Sequence, residues 1–235
     1  HLAFQPTMME ARKAEEWWSQ GGQSQELSFI SQTTVAGGVG SKLSAAATTT
    51  NISGVRVASD QASSGSGDLY NVFCRLSTVQ MHKQGESMSI FYMACMEPKD
   101  NGLCCNRRVD SNGFCFSCNR AGKVAPRLNI RCKFSDELDG IWVTTFHEAA
   151  QIVVGVTASR AQDIEQTGGR EALEAAVKEA FFKEPLKVTL KAKLDNYNGQ
   201  PRSNVTCVAA QVASRGEHGR AMLAEIRRML MTKSV

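Results

Sequence analysis

The chain has 235 residues, of which 42% are hydrophobic, which is enough for one sizeable folded domain and an appendage. It has no apolar run of about eighteen residues and no basic start followed by an apolar stretch, so neither a membrane span nor a signal peptide is predicted. The net charge of +4 is concentrated beyond Lys187, where Lys and Arg outnumber Asp and Glu, and this indicates an anionic partner.

The first predicted element is a helix over residues 8–18, which are strong helix formers without Pro or Gly. Residues 31–67 are rich in Ser, Thr, Ala and Gly and hold almost no large apolar side chains. Because that composition cannot bury a core, we expect a flexible linker there, with the main domain beginning near Asp68. The chain does not begin with Met, so we expect it to be part of a longer protein.

Beyond Asp68, apolar residues alternate in several segments, which is the pattern of half-buried strands. Helical spacing is found between the third and fourth of these segments, and again in the last helix, at about 217–231. This order is typical of an OB-fold, a five-stranded Greek-key barrel, predicted here over residues 68–215 in a mainly β protein. The main strands are predicted at 70–76, 128–134, 141–146, 186–194 and 204–212, a short one at 89–95, the intervening helices at 148–154 and 170–182, and a turn at 196–201.

A cysteine-rich insert, residues 95–118, follows the first strand. Cys115 and Cys118 form a C-x2-C pair, whose spacing lets two thiolates face one ion from a tight turn. Adjacent cysteines rarely both reach one metal, and Cys105 is favoured over Cys104 because the next residues can form a knuckle turn. The predicted site is a closed, structural zinc site formed by Cys95, Cys105, Cys115 and Cys118, with Cys104 and His82 as alternative ligands.

A second set of residues predicts a nucleic-acid surface. Basic side chains follow phosphates and aromatic rings offer planes for bases, so a strand face that carries both favours single-stranded nucleic acid. Solvated strand faces also carry lysines, and Trp142 and Phe146 can alternatively pack in the barrel core or against a helix. The candidate residues are Lys187, Lys191, Lys193 and Tyr197 on one strand, Arg202 across the turn, Trp142 and Phe146 on the third strand, and Arg107 and Arg108 in the ribbon.

The sequence contains no Gly-rich phosphate loop, no Gly-x-Ser-x-Gly elbow and no pair of carboxylates in a credible active site. We therefore expect neither an enzyme nor a small-molecule substrate. The last helix carries an apolar stripe that predicts packing, either on a partner or on its own barrel. The residues of this stripe are Met222, Leu223, Ile226, Met229 and Leu230.

Several stretches together resemble the C-terminal part of the large subunit of replication protein A, the eukaryotic single-stranded-DNA-binding heterotrimer. They occur in the family's order across residues 68–235, and residues 8–30 resemble the helix and tail that close the preceding OB domain. The stretches are Phe91-Tyr92-Met93-Ala94-Cys95, Cys105-Asn106-Arg107-Arg108-Val109, Cys115-Phe116-Ser117-Cys118, Trp142-Val143-Thr144-Thr145-Phe146, Lys193-Leu194-Asp195-Asn196-Tyr197 and Glu217-His218-Gly219-Arg220.

The resemblance implies a DNA-binding OB domain with a zinc ribbon, base-stacking roles for Phe146 and Tyr197, and a nuclear role in replication, repair and recombination. It also implies that the last helix, residues 216–235, packs with a helix from each of the middle and small subunits. Residues 1–30 would then belong to a preceding OB domain. Two alternatives are a paralogue specialised for telomeres or meiosis and an assembly domain with little affinity for DNA.

Overall fold

The computed structural model describes residues 9–20, 46–61, 67–99, 102–197 and 200–232, and the chain divides into two compact units, His1–Val35 and Ala36–Val235. The described part of the first unit is helix α1, Met9–Ser19, which matches the helix predicted over 8–18. Trp17 and Trp18 near its end are exposed, with ring centroids 6.2 Å apart. The predicted tail of a preceding domain lies largely outside the described residues and stays a prediction.

The described part of the second unit contains eleven strands and four helices. The helices are α2 Ile52–Gln61, α3 His147–Val154, α4 Ala158–Lys178 and α5 Arg215–Thr232. The strands are β1 Thr48–Thr49, β2 Asp68–Val79, β3 His82–Lys83, β4 Glu86–Ser87, β5 Phe91–Cys95, β6 Phe114–Cys115, β7 Arg120–Ala121, β8 Val124–Ser135, β9 Gly140–Phe146, β10 Leu186–Tyr197 and β11 Gln200–Val212.

Five of these strands close into a barrel in the order β2, β10, β11, β9, β8, with β8 pairing again with β2. All neighbours are antiparallel except β11 and β9, which run parallel. Helices α3 and α4 lie between the third and fourth barrel strands along the chain. This closure and order confirm the predicted OB-fold.

The barrel core follows from the alternation that predicted the strands. Along β8, Leu128, Ile130, Cys132 and Phe134 are almost completely buried, while the residues between them point outward or lie half-buried. Helices α3 and α4 add Val153, Leu173 and other apolar residues to the same core. Burying one such aliphatic or aromatic side chain contributes about 1.5–3 kcal/mol relative to leaving it exposed.

The prediction of a flexible linker over 31–67 is wrong for residues 48–61. Strand β1 pairs in parallel with β2, and α2 buries Ile52 and Val55 completely in the barrel core. The helix is held at its start by the Ile52 N–H, which donates to Asp136 Oδ2 at 2.6 Å, and on its surface by the ion pair of Arg56 and Asp139. A short helix needs only one apolar stripe, so two aliphatic residues among small polar ones suffice.

Helix α4 begins twelve residues earlier than the predicted 170–182 helix. Gly169, with φ 73° and ψ −176°, breaks it, so the predicted helix corresponds to the second segment only. The first segment begins after Thr157, whose hydroxyl accepts a hydrogen bond from the Arg160 N–H, and it buries Ala158 and Ala161. The buried residues of this segment are small, so its sequence shows no large apolar side chains at helical spacing.

The predicted turn over 196–201 is shorter than expected. The ladder of β10 and β11 continues to the pair Tyr197 and Gln200, so only residues 198 and 199 lie between the two strands. None of the helices in the described ranges combines the length and the apolar character needed to cross a bilayer.

Candidate metal centre and binding face

Four thiols meet in the insert between β5 and β8. The sulfur atoms of Cys95, Cys105, Cys115 and Cys118 all lie within 4.8 Å of one another. The Sγ atoms of Cys95 and Cys118 are 3.8 Å apart, and so are those of Cys105 and Cys115. Four sulfurs at about 2.3 Å from one ion, arranged as a tetrahedron, are separated by about 3.8 Å. The cluster therefore has the dimensions of a four-thiolate metal site.

Backbone geometry brings the two halves of the cluster together. The Cys95 N–H donates to the Arg107 carbonyl oxygen and the Asn106 N–H donates to the Cys95 carbonyl oxygen, each at 2.9 Å, which sets Cys105 beside Cys95. The residues that follow Cys105 and Cys118 are Asn106 and Asn119, with φ of 56° and 52°. Asparagine tolerates this left-handed conformation better than most residues, so both knuckles can turn tightly.

The hairpin that leads to Cys115 turns between Asp110 and Phe114, at Asn112-Gly113. Gly113 has φ 77°, a conformation that favours glycine, and the side chain of Asp110 supports the turn from inside. Its Oδ1 accepts hydrogen bonds from the N–H groups of Asn112 at 2.9 Å and Phe114 at 2.8 Å. These bonds fix the position from which the chain enters the C-x2-C knuckle.

Hydrogen bonds shift the pKa values of the clustered thiols in opposite directions. Burial opposes ionisation of the Cys115 thiol, but the N–H groups of Cys118 and Ser117 donate to its sulfur, and its pKa falls to about 7. The hydrogen bond with the Cys105 thiol is the main reason that the pKa of Cys118 rises to about 12. Without a cation the thiols thus share protons unevenly. A bound metal ion would supply the positive charge that lets all four ionise.

The alternative ligands lie outside the cluster. Cys104 is half-buried and forms a backbone bridge with Pro98, while the His82 imidazole is 3.2 Å from the Glu174 carboxylate on α4. The three remaining cysteines are Cys74, Cys132 and Cys207, and all are buried in the barrel. Burial raises the pKa of Cys132 to about 12, so these thiols behave as small apolar residues.

The outward-facing sides of β8 and β9 carry two exposed aromatic rings. Trp142 is 41% exposed and Phe146 is 40% exposed, although apolar side chains of this size are usually buried in a barrel. Their cross-strand partners on β8 are Lys133 and Asn129. Both aromatic residues therefore lie on the surface and not in the core, while their role in DNA binding stays a prediction.

Arg131 lies between the two aromatic rings and was missed by the sequence analysis. It is exposed, pairs across the strands with Thr144, and places its guanidinium carbon 5.9 Å from the centre of the Trp142 ring. An arginine over an aromatic face is attracted by the ring's electron density. The alternation of β8 contained the signal, since Arg131 is the outward residue between buried Ile130 and Cys132.

Two of the predicted lysines extend this face across the barrel. Cross-strand partners share a face, and the pairs Lys191 with Thr206, Thr206 with Thr144, and Thr144 with Arg131 form one row over four strands. Lys193 pairs with Asn204, one step along the same face. We call this surface, made by Trp142, Thr144 and Phe146 on β9, Asn129, Arg131 and Lys133 on β8, and Lys191 and Lys193 on β10, the outer face.

Lys187 lies elsewhere. It is four residues before Lys191, about 13 Å along the strand, and its partner on β11 is Gln211. Its ammonium group is 3.9 Å from the Glu217 carboxylate of α5 and 5.7 Å from the centre of the Phe73 ring. This placement beneath the start of α5 argues against the predicted role of Lys187 on the same surface as the aromatic rings.

The position of Phe146 is fixed by the segment behind it. The Leu128 N–H donates to Nδ1 of His147 at 3.3 Å, and buried Arg127 forms an ion pair with Glu148 at 2.9 Å. Burial, assisted by the charge of Arg127, lowers the pKa of His147, so the imidazole is neutral near pH 7 and can accept this bond. These contacts hold the start of α3, and with it the backbone of Phe146, beside β8.

The other predicted surface residues are described less completely. Arg107 and Arg108 are exposed in the ribbon, with the Arg108 guanidinium 5.3 Å from the centre of the Tyr92 ring. Tyr197 and Arg202 belong to the ladder of β10 and β11, but their side chains lie outside the described part of the structure. The roles predicted for these four residues stay predictions.

Helix α5 exposes an apolar stripe while polar contacts hold it to the barrel. The Asn51 amide donates to Glu225 at 2.8 Å, in addition to the contact of Glu217 with Lys187. Of the predicted interface residues, Leu223, Ile226 and Leu230 are 44–63% exposed, and Met222 and Met229 are half-buried.

A closed five-stranded barrel with a four-thiol ribbon between its first and second strands defines the chain as an OB-fold protein with a ribbon insert. Residues 73–221 match the family model described as the Replication factor-A C terminal domain. The chain belongs to this family, as the resemblance in its sequence indicated.

Individual relatives agree with this assignment. The chain is 27% identical over 232 residues to the replication protein A 70 kDa DNA-binding subunit of Gallus gallus, covering 97% of this chain and 35% of the relative. It is 23% identical over 233 residues to the protein of the same name from Drosophila melanogaster, again covering 97% and 35%. The chain thus spans about a third of the length of these relatives.

Solved structures support the fold. A replication protein A heterotrimer bound to ssDNA matches with a TM-score of 0.60 at 18% identity, covering 97% of this chain and 49% of that one. Yeast RPA bound to ssDNA matches with a TM-score of 0.55 at 19% identity, covering 78% and 98%. At these identities the likeness establishes the shared architecture.

Proposed function

We propose that this chain is a single-stranded-DNA-binding OB domain of a replication protein A large subunit, acting in the nucleus to protect DNA during replication, repair and recombination. The observation that carries the proposal is the outer face, where two exposed aromatic rings flank Arg131 and lysines continue the row. Its relatives are named DNA-binding subunits, and the similar solved structures were obtained with ssDNA. The proposed role is binding without catalysis.

The outer face provides aromatic rings for the bases and cations for the phosphates of single-stranded DNA. Bases stack on the exposed rings of Trp142 and Phe146, and we propose the same role for Tyr197, the last residue of β10. Phosphates meet Lys191 and Lys193, with Arg202, Arg107 and Arg108 extending the path. Because stacking uses the face of any base, this recognition tolerates any sequence.

We further propose that the four thiols of the ribbon bind one zinc ion and that its role is structural. Four cysteine ligands fill a tetrahedral site and leave no position for water or substrate, which is the arrangement of structural zinc and not of catalytic zinc. The ion would hold Cys95 of β5 to the ribbon and thereby fix Arg107 and Arg108 relative to that strand.

Helix α5 is the proposed assembly element. Its exposed Leu223, Ile226 and Leu230 recur at helical spacing, so they form one stripe that a partner helix can cover. We propose that helices of the middle and small subunits of a heterotrimer cover this stripe.

Replacing two of the rings tests DNA binding. The variant Phe146→Ala, Tyr197→Ala is expected to bind oligo-dT at least tenfold more weakly, since one base–aromatic stack contributes about 1–3 kcal/mol. Fluorescence anisotropy at a fixed salt concentration measures the affinity. The matched control is Phe182→Ala, which removes an exposed ring on the turn after α4 and should leave affinity unchanged. Equal oligo-dT affinities of the wild type and the double variant would contradict the proposal that bases stack on these rings.

The lysines of β10 should differ in their effects. Lys191→Ala is expected to weaken oligo-dT binding and to make the negative slope of log affinity against log salt less steep by about 0.7, the contribution of one phosphate contact on a single strand. Lys187→Ala should change the steepness of this dependence little, because the Lys187 side chain is only 25% exposed and lies about 13 Å along β10 from Lys191. Titrations at several salt concentrations decide. If both variants reduced the steepness of the salt dependence equally, Lys187 would be part of the DNA-binding surface.

A further inference from the structure

A groove adjoins the outer face on the side of β8 away from β9. Its volume is about 940 Å³, and three parts of the barrel unit form its walls. The end of β2 and the β3–β4 hairpin form one wall, α4 forms the second, and Arg131 with Trp142 forms the third. Residues that line it include Met81, Lys83, Met88, Lys178 and Phe181.

The walls of this groove are tied together. The Arg170 guanidinium on α4 donates to the carbonyl oxygens of Met81 and Met88, on either side of the β3–β4 hairpin. His82 of the hairpin reaches Glu174 of α4 at 3.2 Å. A groove braced in this way is formed before any ligand arrives, so binding orders few side chains.

The lining combines cations with apolar surface. Lys83 is exposed at the hairpin, the Lys178 side chain is 65% exposed on α4, and Arg131 closes the near end. The carboxylate in the lining is Glu174, which already faces Arg170, His82 and Lys178. Between the cations lie thioether and aromatic side chains. A positive rim over an apolar floor complements a nucleotide, with its anionic phosphate and flat base.

Continuity with the outer face selects the ligand. Arg131 and Trp142 belong both to the outer face and to the wall of the groove. A single strand that crosses β9 and β8 therefore reaches the groove next. We infer that the groove is a further subsite for the same DNA strand, in which Lys83 and Lys178 contact phosphates and a base lies against the apolar floor. This inference rests on the proposed function and lengthens the stretch of DNA that the domain contacts.

Affinity as a function of oligonucleotide length tests the inference. Oligo-dT lengths from about 4 to 16 nucleotides span the sites that single OB-folds occupy. The variant Lys83→Ala, Lys178→Ala should bind the shortest oligonucleotides as wild type does. It should lose about tenfold in affinity for the longest ones, with a slope of log affinity against log salt that is less steep by about 1.4, for two phosphate contacts. The control Lys183→Ala removes an exposed lysine outside the groove and measures the general effect of one positive charge.

The outcomes separate the two proposals. A uniform loss at every length, or a loss no larger than that of Lys183→Ala, would overturn the groove subsite and leave the outer face as the binding surface. Failure of the wild-type chain to bind oligo-dT at any length would overturn both. Loss confined to longer oligonucleotides in the double lysine variant, beside loss at all lengths in Phe146→Ala, supports both.

Discussion

Cys115→Ala is expected to abolish stoichiometric metal binding and to unfold the ribbon while the barrel remains folded. The ribbon core consists of little more than the buried cysteines, Val109 and Met93, and it forms a cluster separate from the barrel core. So small a core cannot offset the chain entropy lost on folding without additional constraint. Structural zinc supplies about 10–16 kcal/mol in zinc-finger peptides, and removal of one of four ligands forfeits much of that.

Metal content by mass spectrometry and limited proteolysis measure the two effects. The wild-type chain should carry one zinc, and the variant should carry almost none and be cleaved within residues 95–124. Two matched controls exist in the same insert. Cys104→Ala removes a thiol that lies outside the cluster, and Phe116→Ser changes a side chain that is 77% exposed on the knuckle. Both should retain the ion. Retained zinc in Cys115→Ala, or lost zinc in Cys104→Ala, would contradict the ligand set.

The sequence predicted the ribbon well because its signals are local. The C-x2-C pair and the knuckle residues after Cys105 each specify a backbone conformation within a few residues. The choice between neighbouring thiols is less local. It depends on the backbone pairing of Cys95 with Asn106 and Arg107, which only the folded insert contains.

Sequence reasoning was less successful where a residue's role depends on what packs over it. Lys187 and Lys191 occupy equivalent positions in the alternation of β10, yet Lys187 lies beside Glu217 of α5 and away from the aromatic rings. Arg131 looked like any outward residue until the register of β8 and β9 set it beside Trp142. Strand periodicity assigns a face, but long-range contacts decide which part of that face is open.

The role of helix α2 also depends on long-range packing, which the sequence did not reveal, and removing one of its buried side chains should have a large effect on stability. Ile52→Ala is expected to lower the free energy of unfolding of the barrel unit by about 2–5 kcal/mol, because it empties a fully buried site. The matched control is Val57→Ala on the same helix, which is 56% exposed and should change the free energy by about 0.5 kcal/mol or less. Urea unfolding of the metal-loaded chain, followed by circular dichroism, measures both.

If residues 48–61 were a linker, the two variants would be equally stable, because neither side chain would then leave water on folding. A difference of several kcal/mol instead makes this segment part of the OB domain, which consequently begins about twenty residues before the first strand that the sequence revealed.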